Sequence, residues 1–156
     1  MLRITAAAVA IVIGATVVHA QNVEVVKKRR DVMQAIAKAS SGNFAMMQGK
    51  APFDLAKVQD GLKTMGAEGA KFKDLFPDDS KTGGETEASA KIWQARADFN
   101  KAADALAAAV NAAQTSIKDE ASLKTEYPKV ARSCGGCHMD ADGFAPRLAD
   151  SFKRVK

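Results

Sequence analysis

The sequence predicts an all-α protein, an antiparallel up-and-down four-helix bundle folded as one domain. Three observations carry that prediction. Apolar residues recur at three-and-four spacing through four long stretches, no stretch alternates apolar and polar residues as a strand would, and no segment repeats at a fixed period. A chain of 156 residues, 47% of them hydrophobic, is long enough to bury a core in one ordinary domain.

The chain opens on a segment that reads as an export signal. Met1-Leu2-Arg3 is a short positive start, Ile4 to Val18 is almost wholly apolar, and Val18-His19-Ala20 places small residues before Gln21. Residues 1–20 are therefore expected to be a secretory signal peptide, and residues 21–156 the mature domain in the periplasm. A membrane anchor is the competing reading. It is the weaker one, because the apolar run falls short of the about 20 residues a span needs and ends in a cleavage-like site.

The first helix is expected over residues 23–47, where Val25, Val26, Arg29, Val32, Met33 and Ile36 share one face. Residues 49–52 end it. Asp54 is placed to cap the second helix, with Phe53 and Val58 as a hydrophobic staple, and Leu55, Val58, Leu62, Met65, Phe72 and Phe76 extend its stripe to residue 76. Residues 77–85 have the composition of a loop. A third helix follows over residues 87–116, with Ile92, Ala95, Phe99, Ala102, Leu106, Ala109 and Ala113 on its apolar face and many alanines that favour helix and permit close approach. Asp119 caps the fourth, whose stripe runs through Leu123, Tyr127, Val130, Cys134 and Cys137. Pro128 is expected to kink it, and Gly143 and Pro146 to stop it, leaving a basic tail over residues 147–156.

The chemistry concentrates in Cys134-Gly135-Gly136-Cys137-His138, the C-x-x-C-H attachment signature of c-type haem. On a helix, Cys134, Cys137 and His138 stand at i, i+3 and i+4, so two thiols and one imidazole leave a single face. Those types suit the chemistry: thiols form thioethers with the porphyrin vinyl groups, and a neutral imidazole nitrogen takes an axial position on iron. One covalently attached haem c, lying between helices, is the cofactor this implies. Two rivals fare worse. A redox C-x-x-C couple would sit beside a βαβ pattern, which is absent, and a zinc site is one ligand short, since Cys134, Cys137 and His138 are the only Cys and His residues after residue 20.

The net charge of +5 falls to +4 when Arg3 is removed with residues 1–20, from 22 basic and 18 acidic side chains, and is mild. The basic groups Lys27-Lys28-Arg29-Arg30 and Lys153-Arg154 are suited to steering an acidic partner, although such runs are usually solvated helix faces; nucleic acid is not an expected partner of an exported chain.

An export signal, four amphipathic helices and a late C-x-x-C-H together resemble the class II c-type cytochromes, the cytochrome c′ family with its low-spin Met/His relatives. The likeness extends to Gly49-Lys50-Ala51-Pro52-Phe53-Asp54, to Leu75-Phe76-Pro77-Asp78-Asp79-Ser80-Lys81-Thr82-Gly83-Gly84-Glu85 and to Ile92-Trp93. The resemblance implies thioethers at Cys134 and Cys137, a proximal iron ligand in His138, a propionate neighbour in Arg29, an acid at the haem edge in Glu85, and a distal-side residue in Met33. If the Met33 thioether binds iron, the protein is a six-coordinate electron carrier with redox protein partners and no substrate to convert. The alternative is a five-coordinate binder of nitric oxide or carbon monoxide in which Met33 only packs. The resemblance also admits a homodimer through the first two helices. One departure weakens the gas-binding alternative: the family usually has a base four residues after the proximal histidine, and this chain has Asp142, with a longer tail in which Arg147 is the nearest cation.

Overall fold

In the computed structural model, described over residues 4–82, 86–138 and 143–145 and over side chains from Val23 onward, five helices follow in order. They are α1 (Ile4–Met47), α2 (Leu55–Phe72), α3 (Lys91–Gln94), α4 (Arg96–Ser116) and α5 (Glu120–His138), and no strand occurs among the described residues. α1 packs on α2, α2 on α4 and α4 on α5, and α5 closes back on α1. The four long helices thus form the expected antiparallel bundle, with α3 as a single turn leading into α4. No helix among the described residues is long and apolar enough to cross a membrane.

Local chemistry sets the ends of these helices. α1 stops in a Schellman turn: the Lys50 amide donates to the Ala45 carbonyl at 2.9 Å and the Gly49 amide to Met46 at 3.0 Å. Gly49 adopts φ 70°, a conformation that a side chain disfavours. Asp54 caps α2 by accepting the Lys57 amide at 3.1 Å, and Asp119 caps α5 by accepting the Ser122 amide at 2.7 Å. Ser122 Oγ in turn accepts the Asp119 amide at 3.0 Å, a reciprocal capping box.

Two boundaries differ from those expected. α2 ends at Phe72 and tightens into a 3₁₀ turn over Lys73–Leu75. The third helix is not continuous from residue 87: it breaks at Ala95, with φ −121° and ψ 52°, separating α3 from α4. Arg96, just past the break, donates to the carbonyls of Phe76 at 2.9 Å and Lys73 at 2.9 Å. Those tertiary bonds offset the lost helical ones. α5 runs through Pro128, and its described part reaches His138; the stop expected at Gly143 and Pro146 turns on residues outside those described.

The core has two parts. The larger joins Val32, Ile36, Val58, Leu62, Val110 and Val130 with their neighbours along the body of the bundle. Tyr127 lies fully buried within it, its hydroxyl 2.9 Å from Ser40 Oγ and donating to the Ser40 carbonyl at 3.0 Å. Burial pushes this phenol up to about 12 despite the Ser40 bond. The smaller part, Phe76, Ile92, Phe99 and Phe144, lies at the end of the bundle where α5 finishes and α4 starts.

Candidate functional site

Cys134, Cys137 and His138 occupy the last turns of α5, where the i, i+3, i+4 spacing is realised on a regular helix. Both cysteines are free and half-buried, and His138 is half-buried beside them. The Cys134 thiol lies 3.5 Å from the Val130 carbonyl, to which it donates. Cys137 packs against the smaller aromatic cluster. Burial pushes both thiols above their ordinary range, and the neighbouring Cys134 raises Cys137 further. At neutral pH they are protonated, uncharged groups facing an apolar surface. A Cβ at Gly136 would meet only the Ala102 Cβ at 3.8 Å, an ordinary contact, so the packing of α5 on α4 does not itself demand glycine there.

Opposite this end of α5, α1 contributes Arg29, which the sequence placed among apolar residues. The structure buries it to 5% exposure. Its guanidinium donates from Nε to the Leu75 carbonyl, from one terminal nitrogen to the Ser80 carbonyl at 3.2 Å, and from the other to Ser80 Oγ. The same group lies 4.2 Å above the Phe76 ring and 5.5 Å from Trp93. Burial and the nearby Arg96 hold its pKa down to about 10. No carboxylate pairs with Arg29 among the described residues; its charge rests on carbonyl dipoles and aromatic faces.

The rings themselves are tightly set. Phe76 meets Phe99 edge-on at 4.9 Å and Trp93 at 5.9 Å, and Phe99 meets Phe144 at 5.5 Å. Phe76 therefore belongs both to the surface beneath Arg29 and to the cluster against which Cys137 packs. Met33, one turn after Arg29, is half-buried and packs against the larger core instead. Met65 is a buried core residue, as its stripe position suggested, Met46 near the end of α1 is buried as well, and Trp93 is half-buried with its indole N–H donating to the Pro77 carbonyl at 3.2 Å. Glu85, Met139, Asp142 and Arg147 lie outside the described residues.

The donor set fits a flat, largely apolar tetrapyrrole with anionic edge groups. Two neutral thiols and an imidazole leave consecutive turns of one helix, aromatic faces lie beside them, and a buried cation has no acid paired with it among the described residues. Among the described residues there is no cluster of three His, Cys, Asp or Glu side chains able to hold a metal ion by itself. Ser80, Arg96 and Phe144 were not singled out from the sequence. The first two act through backbone carbonyls that only tertiary folding brings near, and nothing in their local pattern signals it.

A helical bundle ending in this donor set defines a haem-bearing cytochrome of the bundle class. Comparison with known proteins agrees. The family model described as cytochrome c′ matches residues 24–140. Cytochrome c′ of Rhodopseudomonas palustris is 42% identical over 139 residues, covering 89% of this chain and 94% of that protein. Cytochrome c-556 of the same organism is 32% identical over 142 residues, covering 88% and 95%. The solved structure of Rhodopseudomonas palustris cytochrome c′ superposes with a TM-score of 0.74 at 41% identity, covering 80% of this chain and 97% of that one. The chain belongs to the cytochrome c′ family, and covalently attached haem c is its cofactor.

Proposed function

We propose that this protein is a periplasmic monohaem cytochrome that carries single electrons between redox protein partners, converting no substrate, after residues 1–20 are removed as a secretory signal. Cys134 and Cys137 would hold the haem through thioethers, and His138 and Met33 would be the side chains that ligate its iron. Arg29 would meet the haem periphery, and the same role is assigned to Glu85 from the family resemblance alone, since it falls outside the described residues. The observation that carries the reading is the pair of free, half-buried thiols at the end of α5, with Cys137 against the aromatic cluster that Arg29 overlies. Haem c, once attached, supplies the one-electron redox couple. The chain contributes an apolar, aromatic surface beside Cys137, an imidazole on the same helix as the two thiols, and a guanidinium that is already desolvated and held by the Leu75 and Ser80 oxygens. Relatives named cytochrome c-556 and cytochrome c′ both align along most of the chain, so the distal position is what separates the two modes of action.

The second reading, a five-coordinate binder of nitric oxide or carbon monoxide, draws support from one feature: Met33 packs against the main core, a role that hydrophobic packing alone explains. The optical spectrum of the reduced protein separates the two. Sharp, resolved α and β bands that carbon monoxide leaves unchanged are expected with Met33 bound, and Met33→Ala should then turn high-spin. A Met33→Ala variant that stays low-spin refutes the Met33 assignment, and matured protein whose intact mass lacks a tetrapyrrole refutes the reading as a whole.

A further inference from the structure

The family match ends at residue 140, yet the chain returns to the site beyond it. The last carbonyls of any helix lack intrahelical partners. In α5 the Cys137 carbonyl is met by the Ala145 amide at 3.2 Å. One residue earlier, the Phe144 carbonyl accepts the Ser89 amide at 3.0 Å. Ser89 Oγ in turn accepts the Lys91 amide at 3.2 Å at the start of α3. Residues 144 and 145 thus bridge the end of the attachment helix to the beginning of α3. Satisfying backbone groups would not require a buried side chain. Phe144 is nonetheless only 7% exposed, with its ring 5.5 Å from Phe99 and 5.5 Å from the Lys91 ammonium, inside the cluster that packs against Cys137.

We propose that Phe144 is a positioning residue of the haem site, a strap that holds the Cys137–His138 end of α5 against α3 and keeps water from the cysteine side. The assignment rests on the proposed haem function and adds a role for a segment outside the family match. Its physical consequence is on redox poise. An enclosure that excludes water disfavours the more highly charged ferric centre, so opening it lowers the reduction potential.

The test uses matured holoprotein. In the parent, the Ser89 and Ala145 amides should be protected from hydrogen exchange together with the last turn of α5. In Phe144→Ala their exchange should quicken by about tenfold or more, the potential should fall, and the mass of the attached group should be unchanged. Phe144→Leu, which restores apolar bulk, should return most of the potential. A loss of thermal stability without a change in potential or in exchange at residues 89 and 145 overturns the strap. Should Phe144→Ala fail to accumulate, the parent decides alone: free exchange at Ser89 or Ala145 overturns it. Parent protein with no added tetrapyrrole refutes the haem reading instead, and the role in the site with it.

Discussion

Gly61→Ala is the substitution for which the structure works hardest against a simple rule. Gly61 lies inside α2, where alanine is intrinsically favoured by about 1 kcal/mol. The added Cβ, however, would stand 2.9 Å from both Nδ2 and Oδ1 of Asn43 and 3.2 Å from its Cγ. Asn43 belongs to α1, is 1% exposed, and donates to the Val58 carbonyl of α2 at 3.2 Å. Rotating it away from the added Cβ would break that bond and leave a buried amide unsatisfied. Overpacking at about 1–3 kcal/mol together with a lost buried hydrogen bond at about 1 kcal/mol or more exceeds the helix gain. The net expectation is a loss of about 1–3 kcal/mol, read as a fall in Tm of roughly 3–12 °C for a domain of this size. Thermal unfolding followed by circular dichroism measures it. The double variant Asn43→Ala/Gly61→Ala should be more stable than the sum of the two singles by about 1 kcal/mol or more, because the clash disappears with the amide. A Gly61→Ala protein as stable as the parent, or additivity in the double, would refute the claim that α1 and α2 approach closely through this pair.

Other perturbations address the core and the thiols. Tyr127→Phe should cost about 1–2 kcal/mol in denaturant unfolding by removing the link to Ser40, while leaving the optical spectrum of the holoprotein as it was. In the haem-free chain, Cys134 and Cys137 have folded pKa values raised above 9.0, so the stability they contribute is fully present below pH 9 and is lost as pH rises through the folded values. That alkaline loss should shrink in Cys134→Ala/Cys137→Ala and in the holoprotein, where thioethers cannot ionise. The Tyr127 contribution is lost from pH 10 towards about 12, and comparing the pH-dependent melting of the Tyr127→Phe and Cys134→Ala/Cys137→Ala variants assigns each part of the alkaline loss to its group. Iodoacetamide should correspondingly label the haem-free folded thiols more slowly than the unfolded ones at pH 8, and equal rates would contradict their burial.

Much of this protein is legible from local pattern alone. The four long helices follow from apolar periodicity, Asp54 and Asp119 act as the caps their positions suggested, and C-x-x-C-H names its own chemistry. Each depends on residues within a turn or two of one another, which is the range over which sequence spacing translates directly into geometry. The break at Ala95 is different in kind. Its local stretch favours unbroken helix, and it is decided by Arg96 reaching carbonyls 20 and 23 residues away in sequence. Arg29 likewise sits on an apolar stripe without revealing whether it snorkels to water or turns inward, and Ser80, 51 residues on, decides that it turns inward.

The amino-acid sequence by itself therefore determined the helical class, the caps, the attachment motif and the register that sets Arg29 and Met33 one turn apart on α1. Only the tertiary structure decided that Arg29 is buried without an acid among the described residues, that Met33 lies against the main core, and that Phe144 returns to the cluster beside Cys137. The physical reason is one of range. Helices and caps are stabilised by neighbours along the chain, whereas the burial of a charge or the return of a tail depends on acceptors and cavities that distant segments create when they pack.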